Sequence, residues 1–505
     1  MKVRSSFSLL MLSLSVDVLL SAETEVKVME YNYITPRDAM NKALQQNLDL
    51  KLEKISQDIE EQRISLEESK FGTVLRASYQ YEQIDRPQNY REFISTGGGS
   101  GIRTEPRIFN EENHRADIKL VTKLEQGQTI EFGTEMRILR NDLNRQVAPA
   151  GSSIYYPEYE TFTGLTIIQP LGQGFGKKAN THLIKSQAFK SDAAKILFKV
   201  KSLATAADTL RKYNSLYYSV ERYNKMKVAL STVTEQHKVY EDLFESNKIT
   251  LSEMLESEAF LFQVEEELAK EKNSIKEKEI LLLHVLGEPN SKAKFIPSTP
   301  IYDGEPILSQ SEYVTMARKN RLDSQYYNKL IKASESQLKD AKDKTKPMAN
   351  LILKGGYNGL AGSYRDSLEA SFNEQAPEFS VGLEFQMSLT KSTAKVEEEI
   401  AKNYIKANQE KHKQSQSQAE LEVIAFWRRV QELIGEQKVF DKRAKVLDEM
   451  VAAQEELVKQ GEGTTKDLIK LKKEQVRFIA QEVSLDEELS NAFINLKLAS
   501  STLLN

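Results

Sequence analysis

The chain has 505 residues, 70 Lys+Arg against 74 Asp+Glu, a net charge of −4 and a mean hydropathy of −0.51. That hydropathy excludes a bundle of membrane-spanning helices: beyond the first two dozen residues no run of about 18 apolar residues exists to cross a bilayer. The near-balanced charge makes no electrostatic case for nucleic acid, and the absence of cysteine removes disulfides, cysteine-based zinc sites and iron–sulfur clusters.

Met1 to Ala22 reads as a secretory signal peptide, with Lys2 and Arg4, an apolar stretch from Phe7 to Leu20, then Ser21-Ala22. Residues 36–70 follow as an amphipathic helix, with Ala39, Ala43, Leu44, Leu48 and Leu52 near helical spacing and Thr35-Pro36 at its start. A strand region comes next. In Val74 to Glu82 the odd positions are Leu75, Ala77, Tyr79 and Tyr81, and the even ones are mostly polar. Ala116 to Leu124 alternates similarly. From Gln128 to Leu139, Ile130, Phe132, Met136 and Ile138 oppose Glu131, Glu135 and Arg137, and Gln126-Gly127 supplies the tight turn between these two strands. Period two over nine to twelve residues means one apolar and one polar face. That pattern fits a tilted strand with lipid on one side and water on the other. Taken alone, it fits a soluble antiparallel sheet with one buried face better.

The rest of the chain is short of helix breakers. No proline lies between Pro170 and Pro289 or after Pro377, and no glycine between Gly176 and Gly287. Lys177 to Ser246 therefore predicts a single helix of about 105 Å at 1.5 Å per residue. Met226, Leu230, Val233, His237, Tyr240 and Phe244 step by four and three along it, the coiled-coil spacing. After a break near Asn247, residues 250–286 form a shorter helix.

The second half repeats the first at an offset of about 274 residues. Residues 309–346 repeat the short helix, and Asn320-Arg321-Leu322-Asp323 echoes Asn47-Leu48-Asp49. Phe379, Val381, Leu383, Phe385, Met387 and Leu389 alternate with Ser380, Gly382, Glu384, Gln386 and Ser388. Residues 391–460 form the second long helix and 467–503 the return helix, with Leu485, Leu489, Ala492, Leu496 and Ala499 on its seam. In each copy two short helices, placed end to end, match one long one, which predicts a helical sheath about 100 Å tall. The expected organisation is a signal peptide at 1–22. The first repeat has its short helix at 23–70, strands with an extra hairpin at 71–170, and long helix, tip turn and return helix at 171–308. The same parts of the second repeat fall at 309–346, 347–390 and 391–505.

No catalytic chemistry emerges. Gly172-Gln-Gly174-Phe-Gly176-Lys177-Lys178 lacks the spacing and the hydroxyl of a phosphate loop, and its glycines read as a strand-to-helix hinge at Pro170, Gly172, Gly174 and Gly176. The five histidines are scattered, and Trp427, beside Arg428 and Arg429, reads as a packing residue of the second long helix. No enzyme, metal or cofactor is expected.

In this order the segments resemble the TolC-like outer-membrane efflux family, over residues 33 to 503. The likeness rests on Ala39–Leu50 with Asn47, on the strand exit Leu165 to Gly176 and on the helix-hairpin turns Tyr240–Leu255 and Leu457–Lys470. Gln169-Pro170-Leu171 followed by Gly174-Phe175-Gly176 is its most specific part. The resemblance implies an α+β fold: a long α-helical coiled-coil barrel continuous with a transmembrane antiparallel β-barrel, internally duplicated and closed only as a trimer. It implies a passive exit duct of a tripartite efflux pump or type I secretion system in the outer membrane of a Gram-negative bacterium. The partners would be a periplasmic adaptor, an inner-membrane transporter and outer-membrane lipid. The alternative is a coiled-coil scaffold of the cell envelope without a pore. The trimer has independent support, because four to six strands per chain cannot close a barrel and open edges cannot face lipid. Three chains give twelve strands, or eighteen if the hairpin 116–139 joins.

The same resemblance places the periplasmic tip at the two helix turns. In the second copy Gly461 and Asp467 match the family, Gly463 stands where an Arg is common, and Lys470 replaces a second acid. In the first copy Asn247 replaces the glycine, and Glu253 and Glu256 hold the acidic positions. Thr465 lies within the second turn. A ring of three Asp467 carboxylates would favour cations, with Lys470 one helical turn away to offset it. Asp467 also suits a helix cap, and the two roles are compatible. Met387-Ser388 stands where a proline usually ends the last strand.

Overall fold

The computed structural model describes residues 31–96, 107–147, 153–291, 294–302, 304, 307–373, 376–390, 392–460 and 462–503. The expected signal peptide lies outside them. The first repeat begins with strand β1 (Tyr31–Ile34) and helices α1 (Pro36–Gln46) and α2 (Leu48–Glu68). The single helix expected over 36–70 is thus broken, at Asn47, whose φ of −56° and ψ of 130° leave the helical region. Its side chain makes the break stable. Asn47 Oδ1 accepts the Leu50 N–H at 3.0 Å, and its Nδ2 donates to the Val285 carbonyl at 2.9 Å. One amide thereby caps the second helix and ties the joint to a distant part of the chain.

Then come β2 (Thr73–Pro87), the short helix α3 (Tyr90–Ser95), β3 (Ile108–Lys123), β4 (Thr129–Asn141), a small pair β5 (Arg145–Val147) and β6 (Ser153–Tyr155), and β7 (Glu158–Pro170). The long helix α4 (Lys177–Glu245) has 69 residues and spans about 104 Å. The return helix α5 (Leu251–Val285) and strand β8 (Lys294–Pro297) close the repeat. The second repeat consists of α6 (Gln310–Asn320), α7 (Leu322–Lys344), β9 (Met348–Ala361), α8 (Tyr364–Phe372), β10 (Pro377–Gln386), α9 (Thr393–Gln460) and α10 (Thr465–Ala499). Its short helix also divides, at Arg321, and the last helix starts two residues earlier than expected and ends at Ala499. Helices α6 and α7 start 274 residues after α1 and α2 (310 against 36, 322 against 48), whereas α10 trails α5 by 214 (465 against 251). The offset shrinks because β3 and β4 exist only in the first copy.

Helices α2 and α5 both pack along α4, and α7 and α10 both pack along α9, so the stacked-pair arrangement holds in each copy. Helix α4 also touches α7 and α10, which joins the copies side by side. The expected seam is buried: Met226, Val233 and Tyr240 meet Phe260 and Val264 of α5 and Ile469 and Val476 of α10. Leu489, Ala492, Leu496 and Ala499 pack with Val423, Val430 and Leu433 of α9. Each large apolar side chain among them, such as Leu489 or Phe260, contributes about 1.5–3 kcal/mol by leaving water. His237 belongs to this seam, with Nδ1 3.1 Å from the Ser257 hydroxyl. Trp427 packs on the α9–α10 core and donates Nε1–H to the Leu308 carbonyl at 3.0 Å, a packing role as expected.

The strands form one antiparallel sheet in the order β10-β9-β7-β4-β3-β2. The extra hairpin therefore sits inside the sheet, between β2 and β7, and each chain supplies six strands. Met387 and Leu389, expected on the last strand, fall just beyond it.

Candidate functional site

The register carries the period-two pattern from strand to strand. Leu75 pairs with Leu120, Leu120 with Phe132, Phe132 with Leu165, Leu165 with Gly355 and Gly355 with Phe379. The next row runs Thr122, Ile130, Ile167, Leu353, Val381. These rows share one face, and its side chains stay open to the surroundings: Phe379 is 75% exposed and Leu383 78%. An apolar band of this size on a single chain needs lipid or protein against it.

The opposite face is charged. Lys119 Nζ lies 2.6 Å from Glu135, Lys354 lies 3.4 Å from Glu378 and 3.9 Å from Glu135, and Arg137 meets Glu111 at 3.1 Å and Glu160 at 3.8 Å. Across its middle Gly133, Gly164 and Gly356 stand side by side in register, and the Phe162 ring lies over the last two. Lys354 sits 3.8 Å above that ring. One face is thus fit for an apolar medium and the other for water.

The predicted hinge residues come together where β7 leaves the sheet. Leu171 N–H donates to the Ala349 carbonyl at 2.7 Å and Gln173 N–H to that of Pro347 at 3.0 Å. Gly174 N–H reaches the Asp343 carboxylate at 2.7 Å. Gly174 and Gly176 take φ values of 77° and 86°, which glycine adopts without strain. At Gly172 a side chain would collide with the Pro347 carbonyl. The turn between β3 and β4 docks here too: Gly176 N–H donates to Gln126 at 3.0 Å, and Lys177 pairs with Glu125 at 2.5 Å.

At the far end of α4, Asn247 adopts φ 56° and takes the left-handed position that usually falls to glycine. Lys248 N–H bonds back to Leu243 at 2.8 Å. Thr250 caps α5 in a reciprocal box with Glu253: the Glu253 N–H donates to Thr250 Oγ1 at 3.3 Å, and Glu253 Oε2 accepts the Thr250 N–H at 2.9 Å. The other carboxylate oxygen of Glu253 accepts from Thr465 Oγ1 at 2.6 Å, which links the two tip turns. These donors, Thr465 first, hold the Glu253 carboxyl below the usual carboxylate range. Glu256 lies 3.9 Å from Lys473 of α10, a second and weaker link.

In the second turn Gly463 N–H reaches the Leu457 carbonyl at 3.0 Å, and a side chain there would press on Leu457 and Val458. Thr464 caps α10, accepting the Asp467 N–H at 3.2 Å and donating its hydroxyl to the Asp467 carboxylate. Capping is therefore a role Asp467 performs within one chain. Lys470 is exposed, and Gly461 lies outside the described residues. Among the described residues no group of acids and histidines is placed to hold a metal ion, and no helix is long and apolar enough to cross a membrane.

Neither a family model nor a curated protein sequence matches this chain. Solved structures match it over nearly its whole length. The outer-membrane channel OprN superposes with a TM-score of 0.68 at 13% identity, over 92% of this chain and 90% of that one. A membrane protein from Pseudomonas aeruginosa gives 0.66 at 12% identity, over 92% of both chains. The open MtrE outer-membrane channel of Neisseria gonorrhoeae gives 0.64 at 13% identity, over 97% and 94%.

This chain has the TolC-like outer-membrane channel fold. Within that fold Pro170, Gly172, Gly174 and Gly176 form one compact strand-to-helix hinge. Asn247, Glu253, Glu256, Gly463, Thr465, Asp467 and Lys470 all lie at or next to the paired tip turns. Sequence reasoning missed three residues. Thr250 and Thr464 were legible as Thr-x-x-Glu and Thr-x-x-Asp before helical runs. Asp343, 169 positions from the Gly174 amide it accepts, carried no local signal.

Proposed function

We propose that the protein is a trimeric channel-tunnel of a Gram-negative outer membrane. It would act as the passive exit duct of a tripartite efflux pump or type I secretion system. Its periplasmic tip would open when an adaptor and an inner-membrane transporter dock there. The observation that carries this reading is the sheet: six antiparallel strands with an apolar face, a charged face and two unpaired edges, β2 and β10. Lipid cannot satisfy an open edge. Three copies pairing β10 of one with β2 of the next would close eighteen strands, wide enough for an aqueous lumen. The charged face would then line the lumen and continue into the helical sheath, about 104 Å long along α4. The matching structures, themselves described as outer-membrane channels, support the same reading.

Electron microscopy of particles extracted with detergent from purified outer membranes tests the proposal. The expected result is a three-fold particle with a tube about 100 Å long. Recovery only in the soluble fraction, or as rods without a barrel, overturns it and leaves an envelope scaffold.

A further inference from the structure

Helix α8 stands between β9 and β10 and packs on β7 and β9, at the end of the sheet remote from the long helices. It lies on the apolar face. Thr161 and Thr163, which alternate in step with Leu165 and Ile167, accept it there. Thr161 Oγ1 bonds the Ser367 carbonyl at 2.8 Å and lies 3.0 Å from the Ser367 hydroxyl, while Thr163 Oγ1 lies 3.1 Å from that of Ser371. Ser367 also donates to the Gly359 carbonyl at 3.0 Å. At Gly359 any side chain would collide with the helix backbone. Small residues at both surfaces let helix and sheet approach closely, as at helix contacts within membranes.

The helix divides into three stripes. Ser363, Ser367 and Ser371 recur every four residues, and the latter two are buried against the sheet. Tyr364, Leu368 and Phe372 form the next stripe, about 100° around at 3.6 residues per turn, and Tyr364 and Phe372 are 43% and 62% exposed. Arg365 and Glu369 form the third and are exposed. A helix with separate apolar and charged stripes suits the boundary between lipid and water.

Its height fits as well. Thr163 and Thr161 lie seven and nine residues from Pro170, the exit of β7. At about 3.4 Å per residue that is roughly 24–31 Å along the strand, and a strand tilted by about 45° needs 9–11 residues to cross the apolar layer. The docking point therefore falls where the band ends. The serine stripe satisfies two threonine hydroxyls that would otherwise face hydrocarbon.

We infer that α8 is an interfacial helix whose Tyr364–Leu368–Phe372 stripe contacts the outer leaflet and fixes the depth of the barrel. This rests on the outer-membrane reading above. The occupant is lipid rather than a neighbouring copy, because α8 covers β7 and β9 and not the edge strand β10, which is left free for pairing.

Fluorescence quenching by lipids brominated on their acyl chains tests this in proteoliposomes of the full-length protein. Trp427 is the single tryptophan and sits on α9, so the unmodified protein should show no quenching. In a Trp427→Phe background, Phe372→Trp should lose fluorescence in brominated lipid, most strongly with bromines close to the headgroup. Phe379→Trp, on the open apolar face of β10 and in register with Leu165 at mid-band, should lose it at deeper bromine positions. Quenching of Phe379→Trp without Phe372→Trp, whether water or a second copy covers the stripe, overturns the helix inference and leaves the channel standing. Quenching of neither overturns the membrane reading itself.

Discussion

The two passages from sheet to long helix do the same job with different chemistry. The first, from Pro170 to Lys177, is built from glycines and donates hydrogen bonds to Pro347, Asp343 and the β3–β4 turn. The second, from Gln386 to Thr393, has no glycine, and Ser388 Oγ bonds only as far as the Thr390 carbonyl at 3.3 Å. Met387 and Leu389 stand in the open beside it, Leu389 at 88% exposure. The contrast teaches that duplication has preserved lengths and not contacts. The first passage lies inside the chain's own sheet and is held by the chain itself. The second leaves from an edge strand, and among the described residues its side chains find little of the chain to bond.

The sharpest way to break this comparison is Gly172→Val. Its side chain has nowhere to go but into the Pro347 carbonyl, at a cost of about 3 kcal/mol. Folded protein in the membrane fraction should fall steeply, whereas Ser388→Ala at the other passage should change thermal stability by roughly 0.5 kcal/mol or less. Equal effects at the two sites would erase the distinction. Asp343→Ala comes next. It leaves the Gly174 amide without its acceptor, and thermal unfolding should register about 1–3 kcal/mol.

The tip turns extend the comparison to the other end. Glu253→Gln should loosen the bond to Thr465 and cost about 1 kcal/mol, as lost caps commonly do. Hydrogen exchange at 246–250 and 464–467 should quicken. Because the folded Glu253 carboxyl titrates below its ordinary value of 4.5, its contribution is complete above that value and disappears as pH falls through the lower folded one. Wild type and Glu253→Gln should therefore converge in strong acid and differ at neutral pH. A difference that persists unchanged in acid would remove the carboxylate from the link. The smallest effect is expected at Asp467→Asn, a modest loss of cation preference in planar-bilayer conductance. Unchanged selectivity would leave Asp467 its cap alone.

Much of this fold was readable because it is built from long local runs. A stretch free of proline and glycine predicted α4, and a proline-free one with Gly435 alone as a weak breaker predicted α9, to within two residues at each end. Alternation found β2, β3, β4 and β10, and the tip positions followed from where the helices had to stop. The joints at Asn47 and Arg321 stayed hidden, because Asn47 is held open in part by the Val285 carbonyl, 238 positions away. Helix α8 escaped for a related reason. The partners of its serines, Thr161 and Thr163, lie more than 200 positions earlier. Pairings between distant segments leave no local period, and the parallel ladder of β1 with β8 belongs to the same class.

That ladder has a further consequence. Tyr31–Ile34 runs beside Lys294–Pro297 in register, and the buried Tyr213 clamps both by donating its hydroxyl toward the Ile34 and Thr299 carbonyls. The first repeat thus sets out and returns at one place, and the second departs from that same spot. A module with adjacent ends can be copied in tandem without a long bridging segment. The ancestor this geometry suggests is a half-length chain, and the present molecule is two such chains that kept their frame while their exits and tips diverged.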